Sequence, residues 1–346
     1  MKQINIAALG LITVGLMGCQ SITSSSGEVQ AQKTNHESQH VYELEFLAAN
    51  NLMRKSQILN EQVSEFCSNS LSLQELQNQW MDTMQSWMAL QGQERGPADA
   101  LKQSWNIQFW PDKKNTTGRK MTQLLEQETV TLEDVEKGSV TIQGLSALEW
   151  LLFDNLSPLM NNKDASGCMV MPLISENLAN NTENVTNAWK ENPWRQLDHA
   201  GWLSEYVSLL SNQLEFSLSK LVRPMANIGK PRPYFAESWR SKMSLANMKS
   251  NVKAIRTLYI ANGYGLDSLL RAKGYDDVAD RTLSQLDNLI SSWPESNDLF
   301  DSLQTKAGYR QALLLRNKLE QLKYLMHDEV SVALGVTVGF NATDGD

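Results

Sequence analysis

The chain has 346 residues, 41% of them hydrophobic, and a formal net charge of -8. That length is enough for two domains, and the apolar fraction for sizeable cores. The acidic balance excludes general nucleic-acid binding, which needs a basic face, and leaves cation binding open.

Met1-Lys2 opens the chain with positive charge, and an apolar run follows from Ile4 to Met17. The run is too short to span a bilayer and suits a signal peptide over 1–18. Leu16-Met17-Gly18-Cys19 has the form of a bacterial lipobox, so Cys19 is the expected lipidation site and the membrane a partner through that lipid. Gln20 after it, rather than Asp, favours the outer membrane. Residues 19–40 are Ser-, Gln- and Thr-rich and read as a flexible tether. His36 and His40, four apart within it, are expected to be solvated rather than metal-bound.

From Val41 to Phe66 apolar residues recur at near-helical spacing. A second helix is expected from Ser72, with Glu75 completing a capping box. Its stripe of Leu76, Trp80, Met84, Trp87 and Met88 reads as core rather than a cofactor box. Arg95-Gly96-Pro97 follows, and Trp105, Phe109, Trp110 and Pro111 mark an aromatic turn before a polar loop. Short helices are expected near 117–126 and 131–136, then an extended lead over 139–143.

Residues 144–154 predict a helix apolar around nearly its whole circumference, which is usually a buried one. Glu149 sits in its middle. A buried carboxylate needs a partner, a ligand or a raised pKa. Ser146 lies three residues earlier on the same face. Gly144, Ser146 and Glu149 together are the candidate functional stretch.

The polar segment 161–167 places a boundary near 161–173, with bundles expected over 41–165 and 166–346. The second half predicts helices over 174–190, 199–221, 245–260, 266–271, 278–293 and 303–334. A Pro- and Gly-containing connection lies over 224–233. The pattern is all-α, two helical bundles side by side. Cys67 and Cys168 favour a disulfide over free thiols in an exported chain, and neither has a close His or Cys for metal ligation. No His-Glu-x-x-His, phosphate loop, Cys-x-x-Cys or Gly-x-Ser-x-Gly is present.

Gly144-x-Ser146-x-x-Glu149, followed by an aromatic and two leucines, resembles the Gly-x-His-x-x-Glu signature of the imelysin family, the insulin-cleaving membrane peptidases. Arg95-Gly96-Pro97, Trp239-Arg240-Ser241 with the helix after it, and the closing segment Leu334 to Asp346 are similar to the family as well. The resemblance covers roughly 41 to 346. It implies two helical bundles related by a divergent tandem duplication, and a link to metal acquisition, iron first, as a binding or accessory protein with an envelope partner of uptake. Its alternatives are a metallopeptidase and a partner-binding structural lipoprotein with a decayed site. Ser146 stands where the family has His, and a neutral hydroxyl is a poor metal ligand. That leaves Glu149 as the metal-ligand candidate for a divalent cation, iron or zinc, and makes peptidase activity the weaker expectation. Arg95, Glu237 and Arg240 are the candidate neighbours, with Arg95 or Arg240 able to neutralise Glu149.

Overall fold

The computed structural model describes residues 30–160 and 166–336. The expected leader, Cys19 and the last residues of the closing segment lie outside them. Eight long or central helices organise the chain: α1 (Gln39–Cys67), α2 (Leu73–Trp87), α3 (Gly144–Phe153), α4 (Ser166–Ala188), α5 (His199–Met225), α6 (Ser244–Ile260), α7 (Asp276–Ser291) and α8 (Lys306–Tyr324). Shorter helical turns connect them, and the described residues contain no strand, so the fold is all-α. No helix among them is long and apolar enough to cross a membrane.

Local chemistry sets the helix starts. Ser72 Oγ accepts from Glu75 N at 3.3 Å while Glu75 Oε2 accepts from Ser72 N at 3.0 Å, the reciprocal box expected from sequence. Asp198 caps α5 through Gly201 N at 2.8 Å, and Thr305 caps α8 through Gly308 N at 3.0 Å. The extended lead expected over 139–143 is instead a 3-10 turn, Val140–Ile142, started by Ser139. The last helix, expected to run unbroken to 334, passes through a π-helical stretch, Leu325–Val330.

The described residues from Ala31 onward form one compact unit. Within it α1 packs on α2 and α4, and α3 lies against α2 and α4; α5 packs on α6 and α8, with α7 against α8 and α6. Helix α4 therefore belongs with the first group, although the polar segment before it reads as a boundary. Packing changes partners after Ala188, not near 161–173. Pro172 lies inside α4, which is why the sequence pattern starts that helix late. The disulfide Cys67–Cys168 joins the end of α1 to the start of α4.

The described end of the expected tether is held on the fold. Tyr42 Oη accepts from Gln32 N at 3.0 Å, and Gln32 Oε1 accepts from Asn192 N and Arg195. His36 Nε2 lies 2.9 Å from Leu197 O, and His40 stacks on Tyr264 with ring centres 3.6 Å apart. Both histidines are docked on the fold rather than solvated. His36 also meets Trp202 edge-on at 6.4 Å, within an aromatic run, Trp189, Trp194, Trp202 and Tyr206, whose successive ring centres lie 5.0–5.4 Å apart.

Candidate functional site

Helix α3 is buried from Gly144 through Leu152 apart from half-buried Ser146. Its first residue needs to be glycine on two counts. Gly144 has φ +61°, and a Cβ there would sit 2.3 Å from the carbonyl oxygens of both Asn106 and Ile107. The helix start is thereby pressed onto the backbone of the aromatic turn. Trp80, from the Trp-Met stripe of α2, donates its indole N–H to Leu145 O at 3.0 Å, so that stripe is core.

Ser146 completes the same contact. Its Oγ accepts from Phe109 N at 3.2 Å and donates to Phe109 O at 3.0 Å. One hydroxyl satisfies both main-chain groups of Phe109. Both its donor and its acceptor capacity serve the fold here.

Glu149 is 5% exposed. Its Oε1 accepts from Ser241 N and from Ser241 Oγ, each at 2.9 Å. Ser241 Oγ also lies 3.1 Å from Ser238 O, so its single proton serves one acceptor at a time. Burial pushes the Glu149 carboxyl above the usual range; the charge of Arg240 and the two Ser241 donors oppose that, and Glu237 adds to it. Ser146 and Glu149 line a cavity of about 20 Å³, walled by Trp80, Trp110, Trp239 and Arg240, which is room for one water-sized guest.

Of the expected neighbours, Arg240 arrives and Arg95 does not. Arg240 Nε donates to Asp154 Oδ2 at 2.6 Å, and its guanidinium also reaches Asn115 Oδ1 at 2.6 Å and lies 4.4 Å from the Trp239 ring centre. It thus ties the C-terminal end of α3 and acts on Glu149 through its charge. Arg95 pairs with Glu205 at 3.5 Å. Glu237, 1% exposed, turns to the other side, where it forms an ion pair with Lys220, also 1% exposed. Gln91 and Gln108 donate to Glu237 Oε1, the latter at 2.9 Å. Lys220 Nζ donates to Gln91 Oε1 at 2.8 Å and to Asn251 Oδ1 at 2.7 Å. Burial lowers the proton affinity of Lys220, against the pull of Glu237.

Sequence reasoning missed Lys220, Gln91, Gln108 and the role of Ser241. The signal for Lys220 was there: Gln213, Ser217 and Lys220 put polar groups at helical spacing inside an otherwise apolar helix, and all three are buried. Ser241 sits in the quoted Trp239-Arg240-Ser241 segment, where the charged residue drew the attention.

The donor set tests the cation reading directly. A catalytic zinc takes three protein ligands and an open position. Among the described residues no group of three or more His, Cys, Asp or Glu side chains converges on a point. Beside Glu149 stand a neutral hydroxyl already bonded to Phe109 and a guanidinium. These residues do not fit a catalytic zinc.

The model of the imelysin family matches residues 47–326. No curated protein matches. Two solved structures share the fold. An imelysin-like protein from Psychrobacter arcticum superposes with a TM-score of 0.74 at 21% identity, over 90% of this chain and 100% of that one. A putative iron-regulated protein A precursor from Parabacteroides distasonis gives a TM-score of 0.64 at 16% identity, over 87% of this chain and 96% of that one. The family match spans most of the chain and carries the Gly144–Glu149 stretch within it: the chain belongs to the imelysin family.

Proposed function

We propose that this chain is a non-peptidase, imelysin-type lipoprotein of the cell envelope that acts as a binding or accessory protein in metal acquisition, iron first. The observation that carries the non-peptidase half is the state of the motif. Ser146 is committed to Phe109 and Glu149 to Ser241, so the Gly-x-Ser-x-x-Glu stretch locks α3 between the aromatic turn and the 238–243 segment. The iron half draws on the likeness to the putative iron-regulated protein A precursor of Parabacteroides distasonis. The lipid anchor draws on Leu16-Met17-Gly18-Cys19.

Deletion of the gene, with growth compared in iron-limited and iron-replete medium, tests the reading. Slower growth confined to iron limitation, restored by the wild-type protein and by a Glu149→Gln variant, is the expected result. Equal growth in both media would overturn the acquisition role. Rescue by wild type but not by Glu149→Gln would return Glu149 to the chemistry. Cys19→Ser should move the protein out of the membrane fraction, and retention there would remove the anchor.

A further inference from the structure

A second cleft lies on the far side of Gln108 and Trp110 from Glu149. Two adjoining cavities of about 300 and 460 Å³ share Gly92, Glu94, Trp105, Trp110 and Phe216, a size typical of small-molecule sites. One wall is the loop after α2. The other is a face of α5 on which Phe216, Ser219 and Arg223 recur at three- and four-residue spacing, continued by α8. Gly92 makes the close approach of the walls feasible: at φ +79°, a Cβ there would lie 2.4 Å from Phe216 Cβ.

The cleft has an aromatic lining and two unspent charges. Trp105 is 51% exposed, and Trp110 meets Phe216 edge to face at 5.5 Å. Most rim charges are taken: Lys323 pairs with Glu215 at 3.1 Å, and Arg316 with Glu320 at 3.6 Å. Among the described residues Glu94 and Arg223 make no ion pair. Arg223 instead holds its guanidinium 5.9 Å from the Trp110 ring centre, where it is oriented by the ring and still open to an anion. One acid, one base and exposed ring faces in a cleft of this size complement a ligand with the same three features.

We propose that this cleft binds a small aromatic zwitterion of dipeptide size, its ring against Trp105 and Phe216, its ammonium at Glu94 and its carboxylate at Arg223. The site is separate from the Glu149 cavity and independent of the metal-acquisition reading.

Calorimetry with glycyl-L-phenylalanine, its N-acetyl form and its C-terminal amide tests this on the full folded protein. The free dipeptide should bind saturably with one site. Blocking either end should weaken binding roughly two- to fivefold, the range of a partly exposed charge pair. Glu94→Gln should abolish the effect of acetylation and leave that of amidation; Arg223→Gln should do the reverse. Both side chains are exposed, so the variants keep the fold, which circular dichroism checks. Absence of saturable binding to wild type, or equal binding of free and blocked dipeptides, would overturn the proposal. So would end-group effects that persist unchanged in both variants.

Discussion

Glu237→Gln probes the ion pair that joins α5 to the segment leading into Ser241. The substitution keeps the shape and removes the only carboxylate paired with Lys220 among the described residues. Breaking a buried pair by removing one partner costs about 3–5 kcal/mol. Lys220 keeps two amide oxygens, from Gln91 at 2.8 Å and Asn251 at 2.7 Å, which sets the expected loss at the low end, about 3 kcal/mol near pH 7. The loss also has a pH signature. Burial holds the Lys220 proton affinity down and Glu237 holds it up; without Glu237 the folded-state value falls further below the unfolded one. A group depressed in the folded state contributes stability that is present above its unfolded pKa and lost as pH falls through its folded pKa. The deficit of Glu237→Gln should therefore be larger at neutral pH and shrink as pH rises toward about 10. Urea unfolding followed by tryptophan fluorescence at several pH values measures both. A loss under about 1 kcal/mol at pH 7, or a deficit independent of pH, would refute the reasoning.

Other perturbations have equally direct readouts. Gly144→Ala forces a Cβ onto two carbonyl oxygens at positive φ, so it should cost more than about 3 kcal/mol in denaturant unfolding or fail to fold; a loss below about 1 kcal/mol would mean the close approach is absent. Ser146→Ala removes both bonds to Phe109 and should cost about 1–3 kcal/mol in the same assay, with no change in metal uptake. Glu45 is 1% exposed, its pKa pushed up to about 8 by burial, with Gln93 donating to it at 2.8 Å. Its raised value means stability that is full below the unfolded pKa and lost as pH rises through about 8, at about 1.4 kcal/mol per pH unit between. Glu45→Gln should flatten that slope, and an unchanged slope would exclude Glu45 as its source. Reduction of Cys67–Cys168, which closes a separation of 101 residues, should lower unfolding stability by about 4 kcal/mol, measured with and without reductant.

Helix periods and caps were legible because they are local: Ser72 with Glu75, the α2 stripe and the apolar circumference of α3 could each be read within a few turns. What the sequence left open was pairing across distance. Glu149 announced that a buried carboxylate needed a partner, and candidates at Arg95 and Arg240 followed from charge. The structure answered with the charge of Arg240, which also pairs with Asp154, and with a neutral donor, Ser241, 92 positions away, while Arg95 took Glu205. A serine in a turn carries no sequence signal of such a role; its placement follows from Ser238 and Lys242 adopting positive φ around it. The group boundary was misread for a related reason: a polar segment marks a loop, but only the packing of α4 on α1 decides which group the next helix joins.

Glu149 Oε1 is held by Ser241 and the carboxylate faces the charge of Arg240, so the proposed reading assigns its compensation to the protein rather than to a metal. Calorimetric titration of zinc and, anaerobically, of ferrous iron into metal-stripped wild type and Glu149→Gln tests it most directly. Superimposable titrations for the two proteins, both folded, are the expected result. One equivalent bound by the wild type and lost in Glu149→Gln would contradict it.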